Sequence, residues 1–249
     1  MWFWVSWVRA PHLTPRAAAY GLLPFYLRYN MADNYLEKRY DEVFGNTAGR
    51  GTKLPSRPSL DTLLLRNRSI RGYDKSYKVH RRQLDAMIAV NTKIASSVNM
   101  QMLRFHPVTA DDPAVPAIQA HIRMGRGLPE LHLPFPGTEP EAFIIVYTTV
   151  PENSSVDIDL GISLQSMLLK AVELGLNGLI IRNFDHAEIR EAIGVDLEPV
   201  AVVAVGRSAE KVELVELPAG SAEDGASLKY YREDGVHYVP KLCAQDLTV

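Results

Sequence analysis

Four short segments hold residue types able to do chemistry. In Asn67-Arg68-Ser69-Ile70-Arg71, two guanidinium forks and a hydroxyl converge on one turn. Such a set donates several hydrogen bonds together with positive charge, which suits a phosphate or an electron-rich ring edge. The basic run continues through Lys75, Lys78, Arg81 and Arg82, so a solvated basic surface is the competing explanation. In Ser96-Ser97-Val98-Asn99-Met100-Gln101, hydroxyls and amides offer donors and acceptors that could read a heterocycle edge, although ordinary helix-ending turns use the same types. The run from Gly175 to Asp185 joins a Gly-rich turn, a short strand and a helix start. Backbone N–H groups presented in that way can serve a developing negative charge, or simply connect a helix to a strand. Near the C-terminus, His237-Tyr238-Val239-Pro240-Lys241 offers one lysine that could close on an anion.

Other chemistries lack their residues. The 7 histidines include no HExxH and no HxH, and no metal site is assigned. There is no GxGxxG or Walker pattern for a Rossmann or P-loop phosphate site, and no GxSxG elbow for a serine nucleophile. The single cysteine, Cys243, excludes an internal disulfide and fits a reducing, cytoplasmic compartment. A net charge of −2 argues for neither nucleic acid nor membrane as partner.

The elements that must position these segments follow from apolar spacing. Tyr35, Leu36, Tyr40, Val43 and Phe44 share a helical stripe, and the Gly-, Pro- and Ser-rich stretch from Thr47 to Pro58 reads as a linker. Ser59 is placed as an N-cap for a helix with Leu60, Leu63 and Leu64 on its apolar face. A second helix carries Leu84, Met87, Ile88 and Ile94 and is expected to end near Ser96-Ser97. Strands are expected over Met102–Val108, Phe143–Thr149, Leu176–Ile181 and Val200–Val205, the last an apolar run suited to burial on both faces. Between Pro107 and Pro140 the chain is dense in proline and should be irregular apart from a short helix. Leu160, Leu164, Met167, Leu168, Ala171 and Leu174 define a long helix closing at Gly175, and Asp185 with Glu188 forms a capping box for a helix closed by Gly194. Helices interleaved with buried strands give an α+β or layered α/β class.

At the other end, Met1 to Val8 holds all 3 tryptophans, and an apolar stretch runs from Ala17 to Leu27. Neither approaches the roughly 20 apolar residues of a spanning helix, and charge follows the first apolar run instead of preceding it as in a signal peptide. The orderly segment beginning at Met31 suggests that translation starts there and that residues 1–30 are not native; a weak peripheral anchor is the alternative.

In this order, the segments resemble the nitroreductase-like flavoprotein family across roughly Ser59 to Val249. The correspondence lies in the Arg-Ser-x-Arg turn at Arg68–Arg71, the Ser-Ser-x-Asn-x-Gln run at Ser96–Gln101, the Gly-Leu turn and strand leading to Phe184-Asp185, the apolar strand ending at Gly206, and the late Lys241. The resemblance implies a mostly antiparallel central sheet flanked by helices and a domain-sharing homodimer, with residues 59–249 as the FMN-binding domain and 1–58 as an extension. It further implies that Asn67, Arg68, Ser69 and Arg71 hold the FMN phosphate and pyrimidine edge, and that Lys241 helps to neutralise the phosphate. Ser97, Asn99 and Gln101 would reach the ring from the partner subunit, and the backbone of Ile180, Ile181, Arg182 and Asn183 would face the flavin N5 edge. The implied activity is ping-pong hydride transfer from NADH or NADPH to a small oxidised acceptor such as a nitroaromatic or quinone. The flavin carries the hydride and no protein catalytic residue is needed. A non-catalytic FMN-binding or redox-sensing module, and dehalogenation or enoate reduction on the same scaffold, stand as alternatives, as does a basic-surface protein using Arg66 to Arg82. The chain departs from the family pattern at Asn67, at Met102-Leu103 in place of Pro-Trp, at Arg182 and at Cys243.

Overall fold

The computed structural model describes residues 58–248 except Arg126 and Leu128. The helix expected at Tyr35–Phe44 and the proposed start at Met31 lie outside the described residues.

The first helix, α1 (Leu60–Arg66), begins where the sequence places it, with the Ser59 side chain accepting from the Thr62 N–H. Next comes α2 (Arg81–Ile88), and here the expectation of one helix running to Ser96-Ser97 is corrected. The α-helix ends at Ile88, and a 3-10 turn, Ala89–Thr92, follows. The cause is local. Asn91 Nδ2 donates to the Ile88 carbonyl and Thr92 Oγ1 to that of Ala89, so side chains take acceptors the helix would need to continue.

Strand β1 (Leu103–Val108) and helix α3 (Val115–His121) precede β2 (Ala142–Thr148). The long helix α4 (Ser154–Glu173) is capped by Asn153 and stops before Gly175, whose φ of 74° is the left-handed geometry a glycine adopts without penalty. Then β3 (Asn177–Ile181) leads to α5 (His186–Ile193), where Asp185 accepts from the Glu188 N–H and Gly194 closes the end. The apolar run falls in β4 (Glu198–Gly206). The four strands form an antiparallel sheet in the order β1-β2-β4-β3.

Alternation along β2 sorts the core. Phe143, Ile145 and Tyr147 pack with Ile118 of α3 and Ile189 of α5 on one face, while Ala142, Ile144 and Val146 pack with Leu84 of α2 and Leu164 and Met167 of α4 on the other. Both faces are covered, which is why β2 and most of β4 are apolar throughout. This is the helix-flanked antiparallel α+β architecture expected. No helix among the described residues is long and apolar enough to cross a membrane.

One of the core tyrosines buries a hydroxyl without a partner. The Tyr147 hydroxyl makes no hydrogen bond, and burial pushes its pKa up to about 12. An unsatisfied buried hydroxyl costs about 1–3 kcal/mol, so Tyr147→Phe should raise the melting temperature or leave it unchanged. A clear drop in a thermal melt would show that the hydroxyl is bonded after all.

A second sheet was not anticipated from sequence. Strands β5 (Lys211–Glu216), β6 (Tyr231–Glu233) and β7 (Val236–Lys241) pair in the order β5-β7-β6, with β5 and β7 parallel. The fourth chemical segment, His237 to Lys241, therefore lies within β7.

Candidate functional site

The Arg-Ser-x-Arg turn lies along the free edge of β3. Ser69 bridges Gly178 in parallel fashion, and the Ile70 N–H donates to the Gly178 carbonyl at 3.1 Å. Asn177 clamps the approach: its Oδ1 accepts from the Arg68 N–H at 3.2 Å and its Nδ2 donates to the Arg66 carbonyl at 3.1 Å. Three residues beyond Arg68, the Arg71 N–H donates to Glu210 Oε2 at 2.6 Å. Glu210 also accepts from Arg232 Nη2 at 2.5 Å, in a pair whose side chains are 15% and 7% exposed. The Arg71 guanidinium sits 5.3 Å from the Tyr230 ring centroid, and Tyr230 packs on the buried His237. Burial, followed by the nearby Arg71, lowers the His237 pKa and so favours the neutral imidazole.

Both arginines of the turn hold donors in reserve. Arg68 Nη2 donates to the Leu64 carbonyl at 2.6 Å and Arg71 Nη1 to the Ser69 carbonyl at 3.3 Å, yet the Nε atoms of both are buried and unpartnered. Burial also lowers the Arg68 pKa. A donor that has lost water without gaining a partner is stabilised most by an arriving anion. Beside the turn, a cavity of about 590 Å³ is lined by Arg66, Arg68, Asn177, Arg207, Ser208 and Glu210. Arg66 and Arg68 bring positive charge to this wall, while the Arg207 guanidinium stacks on the Tyr77 ring 4.0 Å away; a basic wall of this kind suits a phosphate monoester. Elsewhere in the basic run, Lys75 and Lys78 pair with Glu141 at 2.8 and 2.5 Å and Arg81 with Asp85 at 2.8 Å, while Arg82 is exposed. Partial neutralisation by these carboxylates weakens the basic patch as an anion-binding surface.

The remaining predicted residues fall elsewhere. In β3 and its exit, Ile181 is buried while Ile180, Arg182 and Asn183 are exposed. The Asn183 carbonyl accepts from the Arg123 N–H at 2.9 Å, and Arg182 pairs with Glu152 and Asp157 at the start of α4 at 2.7 and 3.4 Å. Lys241 is exposed at the end of β7 opposite Glu216, outside the walls of the arginine cavity. Ser97 lies against α4, where its N–H and Oγ donate to Asp159 Oδ1 at 2.7 and 2.8 Å. Gln101 Nε2 donates to Asn99 Oδ1 at 3.0 Å.

Two separations follow from α4 itself. Val172, in the wall of the arginine cavity, is thirteen residues beyond Asp159, about 20 Å along a helix. Asp157 and Asp159 are two residues apart, so their side chains project from roughly opposite sides of α4. Arg182 and Ser97 thus flank the helix from different sides. Within one chain, the Arg68–Arg71 turn and the Ser97–Gln101 loop do not converge.

Asn177, Glu210, Tyr230, Arg232 and Asp159 escaped sequence reasoning as site residues. Asn177 stood inside the third chemical segment; the others carried no local signal.

This fold and the arginine turn on its sheet edge agree with what comparison with known proteins finds. Residues 64–207, more than half the chain, match the nitroreductase family. The chain belongs to the nitroreductase family, a grouping of oxidoreductases. No curated protein matches. Among solved structures, a nitroreductase family protein from Streptococcus pneumoniae is 15% identical, with a TM-score of 0.52 over 68% of this chain and 98% of that one. A protein from Desulfovibrio desulfuricans, assigned as a nitroreductase and solved with FMN, is 22% identical, with a TM-score of 0.54 over 67% and 96%. A single-site variant of the FMN- and NADPH-dependent nitroreductase from Sphigopyxis sp. strain HMH is 18% identical, with a TM-score of 0.51 over 61% and 89%. At such identities the likeness establishes the fold.

Proposed function

We propose that the chain is a homodimeric, cytoplasmic FMN-dependent oxidoreductase that moves reducing equivalents from NADH or NADPH to a small oxidised acceptor, such as a nitroaromatic or a quinone. The observation that carries this reading is the pair of buried, unpartnered Nε donors on Arg68 and Arg71, flanking Ser69 on the free edge of β3. FMN, when bound, supplies the hydride chemistry, and the protein binds and orients it. Residues 59–249 form the FMN domain and 1–58 an extension. Asn67, Arg68, Ser69 and Arg71 hold the phosphate and pyrimidine edge, with Lys241 adding positive charge. The backbone from Ile180 to Asn183 faces the ring. Ser97, Asn99 and Gln101 reach the ring from a second copy, because α4 keeps them from the arginine turn of their own chain. Leu60, Leu64 and Leu65 of α1 and Ile158 and Ile162 of α4 are exposed on helices that pack together, an apolar face suited to that second copy.

Purified protein should be yellow, elute at twice its chain mass, and lose its flavin absorbance when NADH or NADPH is added anaerobically. Persistent absorbance would leave a passive FMN-binding module. Arg68→Ala should weaken FMN binding by about 1.5–3 kcal/mol, tenfold or more in Kd, through loss of a charge-assisted bond. Unchanged affinity in equilibrium dialysis would refute the role of Arg68.

A further inference from the structure

We infer that Asp159 is a positioning residue whose buried carboxylate holds the Ser97–Gln101 loop in a strained shape that presents Asn99 and Gln101 for cofactor binding; this rests on the flavin reading above. Three non-glycine residues of this short loop have left-handed backbones, Val98 at φ 51°, Asn99 at 55° and Gln101 at 48°. Asparagine tolerates that region, whereas β-branched valine is among the residues it penalises most. Strain of this kind persists only where surrounding structure overrides it.

Packing of the strained residue does not override it. Val98 is 94% exposed and Met100 is exposed beside it. Behind the loop lies a cavity of about 210 Å³, with Ser96 and Gln101 in its wall together with Asp159. Space on both sides would let the loop relax. Its entry is fixed at Ser97, where one oxygen of Asp159 accepts from both the N–H and the hydroxyl at 2.7 and 2.8 Å, the hydroxyl also lying 3.5 Å from the Ser155 carbonyl. Asp159 is 4% exposed, and its second oxygen has no partner. Bonds to a charged acceptor in so dry a place are the strong kind. They fix Ser97, the residue directly before Val98, and with it the direction in which the chain enters the turn. Inside the loop, the Gln101 N–H donates to Ser96 Oγ at 3.3 Å and the Gln101 side chain to that of Asn99, which shapes the tip, and at its far end the Gln101 carbonyl accepts from Arg104 Nη1 of β1 at 2.9 Å.

The experiment measures FMN affinity by quenching of flavin fluorescence, and the visible circular dichroism of the bound flavin at saturation. Asp159→Ala should weaken binding about tenfold or more and change the dichroism, with Asp159→Asn, which keeps an acceptor without the charge, falling between. Adding Val98→Gly to Asp159→Ala should recover most of the lost affinity, because glycine adopts a φ near 51° without the Cβ penalty. A residue serving only the core would give no such rescue. Unchanged affinity and dichroism in Asp159→Ala would overturn the inference, and so would a loss that Val98→Gly fails to reverse. Should Asp159→Ala not fold, Asp159→Asn with and without Val98→Gly carries the same comparison. An unsubstituted protein that binds no FMN would instead overturn the flavin reading itself, before any variant is made.

Discussion

Glu210→Ala should destabilise the fold by about 3–5 kcal/mol, the penalty for removing one member of a buried ion pair. The Arg232 side chain is 15% exposed and its Nε already lacks a partner, so loss of the bond to Glu210 leaves the guanidinium with no carboxylate, only the Phe135 ring 5.1 Å away, in a nearly dry site. For a folded region of this size, that corresponds to a fall in Tm on the order of 10 °C. The damage should reach the candidate site as well. The other Glu210 oxygen accepts the Arg71 N–H at 2.6 Å, from a residue 139 positions earlier, and that bond sets the height of Arg71 above the sheet edge. FMN affinity should therefore fall further than the loss of stability alone explains when measured well below the variant's Tm. Glu210→Gln, which can still accept a bond, should lose less of both. A variant that melts with the unsubstituted protein would mean that Arg232 finds water or another acceptor, and the anchoring role would then be wrong.

Gly178→Val should be the more disruptive change. A Cβ at Gly178 would lie 2.5 Å from the Ala204 carbonyl oxygen and 2.7 Å from Leu168 Cδ2. Leucine can rotate, but Ala204 sits within the β3–β4 pairing, where Gly178 faces Val205, and its carbonyl cannot retreat without opening the ladder. Even one added methyl should exceed the roughly 1–3 kcal/mol of ordinary overpacking, and valine adds two further carbons. The same glycine supplies the carbonyl that receives the Ile70 N–H, so displacement of its backbone shifts Ser69 and Arg68 with it. Loss of soluble protein, or folded protein with sharply reduced FMN affinity, is the expected result. Gly178→Val with an unchanged melt and unchanged FMN binding would show that β3 can move away from β4 at little cost.

The features legible in the residues alone are those whose causes lie within a few positions. Ser59, Asp185, Gly175 and Gly194 mark helix ends because a cap or a left-handed turn is completed by neighbouring backbone. The apolar runs of β2 and β4 declare burial on both faces, and the order of short polar segments was enough to point to the family. The helix end at Ile88 was missed, although its cause, side chains at Asn91 and Thr92 competing for carbonyls, is equally local. What folding alone supplies is every contact between distant segments. The parallel pairing of β5 with β7 joins strands with exposed faces across a long connection, so neither announces its partner. Asn177 reaches Arg68 over 109 positions and Asp159 reaches Ser97 over 62. Nothing in an isolated Asn, Asp or Glu distinguishes a clamp from a surface polar residue, because the difference is made by burial and by which N–H lies opposite. The reach of α4 is likewise a fact of three dimensions: a helix of 20 residues holds the arginine turn and the Ser97 loop apart, so one chain by itself does not bring together all the residues proposed for the site from its sequence.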